Sequence, residues 1–438
     1  MKIIVAPDSF KGSLTALRIC ELVQDAAAAV CPQAEVIALP LADGGEGTAD
    51  AVLHALHGTR RTCSVHGPLG NPVTCEYGIY DGLKINSTPP TSPTPPLTSL
   101  SPASTGNPNF PVNQRNQESE GFQASGVSEM SASIPEQPYN QATRIAVMDM
   151  AAASGLTLVD NAERDVLHSS TYGTGEMILD ALNQGCEQIY IGLGGSATND
   201  GGIGMAAALG VRFLDENGQE LAPVPVSMAK IVSVDASGMD ARMQQVPITI
   251  MSDVRNPLLG KTGATYVYGP QKGVTQEQLP IIDSWMEHYM DCVEQCISRE
   301  IRTIPGAGAA GGLGAGLLAY GRAAMKSGIE TILELTDFDA LLRDADFVIT
   351  GEGRMDYQSA YGKVVSGVGM HCQAQGVPCY ALVGSIGDGA EALYDYGITS
   401  ILPTVNGIMT LEEAISNAEP LCYDAAVRLL RFVCPQHS

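Results

Sequence analysis

The chain is short of positive charge: lysine and arginine number 24 against 48 aspartates and glutamates, which gives a formal net charge of -24. An acidic surface repels polyanions, so nucleic acid and anionic membranes are excluded as main partners. Only eight of the 438 residues are lysine. Four of them, Lys11, Lys261, Lys272 and Lys363, adjoin a glycine, which makes them either candidate phosphate contacts or ordinary surface residues.

No pair of cysteines has CxxC spacing, although the chain has eleven cysteines. Cys292 and Cys296 share a helical face, but no second pair or nearby histidine completes a zinc site. The scattered thiols therefore indicate a reduced, cytoplasmic protein. The chain begins on a strand-like run without a signal-peptide pattern, and its most membrane-like run, 306–325, is glycine-rich and contains Arg322.

A Walker A loop is also missing. The triplet 260–262, Gly-Lys-Thr, resembles the end of one, but Arg255 stands where its first glycine belongs. Residues 306–311 match GxGxxG, the pattern of dinucleotide-binding loops, but Pro305 rather than a buried strand precedes them. A nicotinamide-dependent dehydrogenase is therefore a weaker alternative.

What the chain does have is a glycine-rich stretch at 189–204. An apolar run that predicts a strand is followed by Gly194, Gly195, Ser196, Thr198 and Asp200, and then by a predicted helix. This layout presents backbone N–H groups and a helix N-terminus to an anion. A carboxylate repels phosphate, so Asp200 fits either a Mg²⁺ ligand, a base that takes a proton from an acceptor hydroxyl, or simply a helix cap.

Similar loops recur after other predicted strands, and each combines glycine with charged or hydroxyl side chains. Ligands bind at the carboxyl ends of strands in open α/β sheets, so the recurrence predicts one polar, phosphate-handling cleft. Taken singly, each loop could also be a helix cap. The residues after these strands are Asp8, Ser9 and Lys11; Asp43; Asp253; and Glu352, Arg354 and Asp356.

Residues 86–142 differ in composition from the rest of the chain. Pro, Ser, Thr, Asn and Gln dominate, lysine is absent, and Arg115 is the one arginine. Such a segment cannot bury enough apolar surface to offset its ordering entropy. We predict a disordered insertion that is dispensable for folding and catalysis.

Taken together, the loops resemble the bacterial glycerate kinase family that lacks a Walker A loop. The motifs that carry the resemblance include APDSFKGS at 6–13, LADGGEGT at 41–48, GLGGSATNDGG at 192–202 and TGEGR at 350–354, with further matches at 150–156, 172–176, 253–258, 269–273 and 305–314. Two features depart from the family pattern. Asp149 stands where the family usually has Glu, and the insertion falls where the family has a hairpin turn.

The resemblance implies an α/β fold of two domains with the active site in the cleft between them. A flavodoxin-like domain would comprise 1–65 and 300–438, and the inserted second domain would be 66–299. The implied reaction is ATP-dependent phosphorylation of D-glycerate with Mg²⁺, at a hydroxyl that the residues do not specify, although the family suggests the 2-phosphate. The expected partners are small molecules, and the expected assembly is a monomer or homodimer.

The expected roles divide the candidate residues into three groups. For catalysis we expect Asp200 as the base, with Lys11 and Asp8. Asp253 and Asp356 are the expected metal ligands, although the carboxylate roles are interchangeable at this stage. The expected substrate- or phosphate-binding residues are Ser9, Asp43, Gly194, Gly195, Ser196, Thr198, Lys272, Gly306, Gly308, Gly311, Glu352 and Arg354. A non-catalytic sugar-acid sensor, which would bind glycerate without consuming ATP, is a further alternative.

Overall fold

The computed structural model describes residues 1–45, 47–82, 143–360 and 362–434. Within these residues the strands are β1 (Lys2–Val5), β2 (Glu35–Ala38), β3 (Thr59–His66), β4 (Pro72–Gly82), β5 (Thr143–Asp149), β6 (Gln188–Gly192), β7 (Arg212–Leu214), β8 (Ser233–Asp235), β9 (Pro247–Met251), β10 (Arg322–Lys326), β11 (Phe347–Met355), β12 (Cys379–Ile386) and β13 (Ile398–Pro403). The α-helices of the same residues are α1 (Ala16–Val30), α2 (Thr48–Leu56), α3 (Ala151–Ser154), α4 (Tyr172–Asn183), α5 (Ile203–Ala208), α6 (Ala264–Tyr268), α7 (Leu279–Ile297), α8 (Ala309–Tyr320), α9 (Gly328–Leu335), α10 (Phe338–Leu342), α11 (Val364–Gln375), α12 (Leu411–Ser416) and α13 (Ala418–Val433).

The first sheet has five parallel strands in the order β2-β1-β11-β12-β13. Counted within this sheet, the order is 2-1-3-4-5, which is the flavodoxin-like order. The interior strand β1 has three of its four residues buried, all of them apolar, as expected for a strand covered on both faces. Helices α1 and α13 cover one face with residues such as Ile19, Val23, Leu429 and Leu430. The predicted α/β class is confirmed, including a parallel sheet built from both ends of the chain.

The second sheet has six strands in the order β3-β4-β5-β6-β9-β10 and is mixed. Its β5, β6, β9 and β10 pair in parallel, whereas β3, β4 and β5 pair antiparallel. The buried faces of β6 and β9 pack against α5, α7 and α8 to form the second core. Strand β10 lies beyond residue 300, so this sheet extends past the predicted domain boundary. The two-domain division itself stays a prediction, because both sheets belong to one compact unit, 1–82 with 142–438.

The chain passes between the two sheets at two places. It leaves the first sheet after β2 through the loop 39–47 and returns after β10 through Ser327 and α9. The two passages touch: Gly328 lies so close to Asp43 that a Cβ at position 328 would be 2.2 Å from the Asp43 carbonyl oxygen. Only glycine fits this contact without displacing backbone.

The predicted insertion 86–142 lies outside the described residues, but the strand ends that flank it are well defined. Strands β4 and β5 form an antiparallel pair in which Gly82 is directly opposite Thr143. Partners in such a pair have Cα atoms about 5 Å apart, a gap that a two-residue hairpin turn spans. The strand pair therefore does not need the intervening sequence to bring its ends together.

Replacing residues 83–142 with Asn-Gly, so that a two-residue turn joins Gly82 to Thr143, is expected to keep the fold and the catalytic activity. Closing a shorter loop also costs less chain entropy, since the cost scales as about (3/2)RT ln n, so the melting temperature should rise slightly. Thermal denaturation and steady-state kinetics of the full-length and shortened proteins provide the measurement. An insoluble or inactive product would show that the segment contributes to the folded body.

No helix among the described residues combines the length and the apolar character needed to cross a bilayer.

Candidate active site

A cavity of about 770 Å³ lies at the carboxyl edge of the first sheet. This volume lies within the range of about 300–1,000 Å³ that is typical of ligand pockets. The carboxyl ends of the five parallel strands, or the loops that follow them, contribute to its wall. Six of the residues predicted from sequence line it together: Asp8, Ser9, Lys11, Asp43, Glu352 and Arg354.

Asp8 lies just beyond β1, where the backbone N–H of Asp8 donates to the Gly351 carbonyl at 2.9 Å. Its Oδ1 accepts hydrogen bonds from the Ser9 backbone N–H at 2.6 Å and from the Ser9 hydroxyl at 3.4 Å. Both hydrogen bonds that the described residues make to this carboxylate therefore use the same oxygen. Burial, reinforced by the nearby charge of Asp43, raises the pKa of Asp8 to about 6.

Glu352 lies on β11, the strand next to β1, and its side chain is almost fully buried. Burial raises the pKa of Glu352 to about 7, while Lys363 lowers it and Asp8 raises it to a lesser degree. Asp253, after β9 of the second sheet, has its pKa raised to about 6 by burial and also by Asp43. Carboxylates from both sheets are thus held close enough to repel one another.

Three cationic side chains line the same cavity: Lys11, Arg354 and Lys363. Lys11 Nζ is 3.9 Å from Asp43 Oδ2, and Arg354 Nε is 3.5 Å from Asp356 Oδ2. The side chains of Lys11 and Arg354 are 79% and 70% exposed, so they are free to turn toward a bound anion. A strongly acidic protein therefore presents local positive charge where it borders this cavity.

The loop around Gly44 joins this cavity to the second sheet. Gly44 accepts a hydrogen bond from the Gly194 N–H at 3.3 Å. Asp149 Oδ2 accepts from the Gly47 N–H at 3.0 Å, so Asp149 reaches the loop before α2. Asp253 Oδ1 accepts from the Gly328 N–H at 3.3 Å. The carboxyl edges of both sheets therefore meet around residues 43–47.

The position of Asp200 disfavours a role as general base. Its side chain is fully buried, and both carboxylate oxygens are occupied. Oδ2 accepts from the Thr171 N–H and hydroxyl, each at 2.7 Å, and from the Gly204 N–H at 3.2 Å, while Oδ1 accepts from the Gly202 N–H at 3.1 Å. Burial raises the pKa of Asp200, whereas these hydrogen bonds lower it. The geometry favours the helix-cap interpretation, with Asp200 holding the start of α5.

Lys272 is also placed differently from the expectation of an open phosphate contact. It is 2% exposed, and its Nζ donates to the Ser196 hydroxyl and to the Thr198 carbonyl, each at 2.7 Å. Burial lowers the pKa of Lys272 to about 7, and the charge of Asp200 opposes this shift. Lys272 therefore holds the loop 196–200 in place from its buried side. Gly194 and Gly195, which are half-buried and exposed, form the accessible end of that loop.

The predicted phosphate loop at 306–311 instead packs against backbone. The N–H groups of Gly306 and Gly308 both donate to the Asn256 carbonyl, at 3.2 and 3.0 Å. A Cβ on Gly311 would lie 2.1 Å from the Thr198 carbonyl oxygen, so this glycine permits close contact between two loops. A dinucleotide-binding glycine motif directly follows a strand, but no strand directly precedes residues 306–311. The structure therefore does not support the dinucleotide-binding alternative.

No group of three or more His, Cys, Asp or Glu residues in the described ranges is arranged to hold a metal ion. The two predicted metal ligands have different neighbours: Asp253 contacts Gly328, whereas Asp356 contacts Gln358 and Ser359. The mutual repulsion of Asp43 with Asp8 and with Asp253 nevertheless fits a Mg²⁺ ion that arrives with a nucleotide. Such an ion is commonly bound by one or two carboxylates together with substrate phosphates.

One whole wall of the cavity, at 403–418, was not predicted from the sequence. Pro403 ends β13, Thr404 and Val405 follow it, and α12 comes next. The signal that could have located α12 is its capping box, in which Thr410 and Glu413 exchange side-chain and backbone hydrogen bonds. The functional character of this wall had no sequence signal, because its residues are mostly apolar.

A parallel sheet with acidic and cationic side chains around a cavity at its carboxyl edge defines an α/β enzyme that acts on a polar small molecule. The glycerate kinase family model matches residues 3–87 and 119–434, so it omits 88–118, a shorter stretch than the predicted insertion. The chain belongs to the glycerate kinase family. The predicted resemblance is thereby confirmed, as is the enzyme class of ATP-dependent phosphotransferases.

Individual relatives agree with the family match. A glycerate kinase of Halalkalibacterium halodurans is 40% identical over 424 residues, which cover 97% of this chain and 96% of the relative. A glycerate 2-kinase of Escherichia coli K12 is 35% identical over 432 residues, with 98% and 96% covered. A crystal structure from Salmonella typhimurium LT2, assigned as a glycerate kinase 2, superposes with a TM-score of 0.76 at 35% identity and covers 99% of this chain and 98% of that one.

Proposed function

We propose that this protein transfers the γ-phosphoryl group of ATP to the 2-hydroxyl of D-glycerate, giving 2-phosphoglycerate and ADP. The observation that carries the proposal is the pairing of Asp8 and Lys11 with Glu352 and Arg354 in one cavity of a glycerate kinase family member. The name of the Escherichia coli relative, glycerate 2-kinase, supports the 2-position. A reducing, cytoplasmic location fits the eleven cysteines, all of which are free thiols.

Asp8 replaces Asp200 as our proposed general base. The glycerate hydroxyl oxygen forms a bond to the γ-phosphorus, the bond from that phosphorus to the β–γ bridging oxygen breaks, and the hydroxyl proton moves to Asp8. Ser9 occupies Oδ1 of Asp8, which leaves Oδ2 for the substrate hydroxyl. A pKa of about 6 keeps Asp8 mostly ionised at neutral pH while it remains basic enough to accept a proton.

The cationic side chains balance the charge of two anionic substrates. Arg354 offers a planar, two-pronged donor that matches the glycerate carboxylate. Lys11 and Lys363 neutralise phosphate oxygens, and the exposed backbone at Gly195, in the loop after β6, offers a further N–H donor. Mg²⁺, held with the phosphates by Asp43 and Asp253, would supply additional neutralisation of charge in phosphoryl transfer.

The proposed function is tested by a coupled ADP-release assay with D-glycerate, L-glycerate and related hydroxy acids, in the presence and absence of Mg²⁺. Phosphorus NMR of the product distinguishes the 2-phosphate from the 3-phosphate. Turnover of another hydroxy acid but not of D-glycerate would overturn the substrate assignment. Glycerate binding without ADP release would support the sugar-acid sensor instead.

The proposed base also predicts the pH profile. Asp8 accepts a proton only when ionised, and kcat/KM reports the protonation state of the free enzyme, so kcat/KM is expected to fall as the pH drops through about 6. Asp43 is one cause of the raised pKa, and Asp43→Asn should therefore move this acid limb to lower pH, whatever it does to the maximal rate. Asp356→Asn is the control that should leave the limb in place. A limb near the ordinary pKa of about 4 in all three proteins would contradict the assignment.

A further inference from the structure

The cavity has two chemically different ends. Its charged residues lie on the loops after β1 and β2, at the carboxyl end of β11 and, in the case of Lys363, beyond β11. The opposite end, after β12 and β13, is formed by an apolar wall that we define as Ile386, Val405, Met409, Leu411 and Ile415. Neighbouring strands are about 4.8 Å apart, so the three intervals from β1 to β13 place the two ends about 14 Å from each other.

The apolar wall is exposed in the free protein. Ile386 is 50% exposed, Leu411 76% and Ile415 43%. Helix α12 supplies two of these side chains, yet none of its six residues is buried. The capping box fixes the start of the helix: the Thr410 N–H donates to Glu413 Oε2 at 2.8 Å, and the Glu413 N–H donates to the Thr410 hydroxyl at 3.2 Å.

The capping box holds α12 in place although its apolar side chains face the cavity. A ligand that covers those side chains would therefore stabilise the helix. The ligand must be elongated, with an apolar end for the wall and an anionic end for Lys11 and Arg354. D-Glycerate is too small and too polar to fill both ends. A nucleoside triphosphate has a flat, weakly polar base at one end and a polyanion at the other.

We propose that the apolar wall binds the base and adjoining ribose of ATP, with the triphosphate directed along the carboxyl edge toward Lys11 and Asp8. This assignment rests on the proposed function for the choice of ATP. It places the nucleotide in the first sheet's cavity, with its base on α12 and on the loop after β13. The glycine motif at 306–311, whose Gly306 and Gly308 N–H groups are engaged by Asn256, is not required for this mode of binding.

The first test measures nucleotide binding directly, without turnover. Ile415→Ala and Leu411→Ala each remove three side-chain carbons from the wall. Each is expected to weaken ATP binding about 10-fold or more in equilibrium dialysis, since even one methylene contact in an apolar pocket commonly contributes that much. Affinity for inorganic tripolyphosphate should not change, because it lacks a base. Ile281→Ala is the matched control, as Ile281 is 47% exposed on α7 and does not line the cavity.

The second test is kinetic: the KM for ATP should rise about 10-fold in both wall variants, with kcat and the KM for glycerate nearly unchanged. If the variants instead lose affinity for glycerate, the wall binds the acceptor substrate and the proposal is overturned. ATP binding equal to that of Ile281→Ala would overturn it as well. If sedimentation shows that the wild type dimerises and that the wall variants do not, the wall binds a second copy of the chain rather than a nucleotide, and the proposal is wrong. Because dialysis needs no reaction, an inactive enzyme would refute the proposed function without affecting this outcome.

Discussion

Asp8→Asn is expected to lower kcat by about 10²- to 10⁴-fold, the range typical of removing a general base. The amide keeps the size of the side chain and can still accept the Ser9 N–H, so the cavity should retain its shape. KM values should change little, because the lost interaction is made mainly as the hydroxyl proton leaves. The coupled ADP-release assay at saturating ATP and glycerate measures this effect.

The stability of the same variant separates catalysis from folding. The pKa of Asp8 is raised in the folded state, so its folding contribution is most favourable below the unfolded pKa of about 4 and is lost as the pH rises through about 6. At neutral pH the ionised side chain therefore destabilises the fold. Asp8→Asn should have a melting temperature equal to or above that of the wild type at pH 7.5.

Asp25→Asn is the matched control for both measurements, since Asp25 is an exposed aspartate on α1 in the same part of the fold. It should change neither kcat nor the melting temperature. An Asp8→Asn enzyme with kcat within a few-fold of the wild type would remove Asp8 from the reaction. Glu352, whose pKa is raised to about 7, would then be the next carboxylate to test.

Asp200→Asn is expected to act on folding rather than on chemistry. Three donors converge on Oδ2 and one on Oδ1, so an amide NH₂ group would face an N–H donor whichever way it is turned. The buried Lys272 also loses its nearby negative charge. Removing one member of a buried charge network costs about 3–5 kcal/mol, which should appear as a lower midpoint in urea denaturation.

Asp215→Asn provides the comparison for this second prediction. Asp215 also accepts two backbone N–H groups, from Asn217 and Gln219, but on the protein surface. Its substitution should shift the urea midpoint far less. If Asp200→Asn instead denatures at the wild-type midpoint and has a kcat reduced 100-fold, the original hypothesis of Asp200 as the base would be restored.

The strands and the polar residues at their ends were predictable from the sequence, because both produce patterns in consecutive residues. Runs such as 247–251 are apolar and bounded by loop-forming residues, and the structure has a strand at those residues. The rule that ligands bind at carboxyl ends then brought Asp8, Asp43 and Glu352 together without any knowledge of distances.

The remaining errors come from tertiary contacts that leave no local pattern. A lysine next to a glycine gives the same sequence pattern whether its side chain is exposed or, like that of Lys272, buried under a loop. Glycines that allow two backbones to touch, such as Gly311, have the same spacing as glycines that bind phosphate. Strand β10, only half-buried and less apolar than β9, was missed although it completes the second sheet.

The contact between Gly328 and Asp43 brings the two passages between the sheets into one small region, which we expect to act as a pivot. Because both covalent connections pass through this region, we expect any rotation of one sheet relative to the other to occur about it and to preserve every strand pairing. Such a rotation would change the gap between the Asp8 edge and the Gly194–Gly195 loop most at the points farthest from the pivot. Asp43, which lies at the pivot itself, would keep its position relative to both sheets throughout the motion.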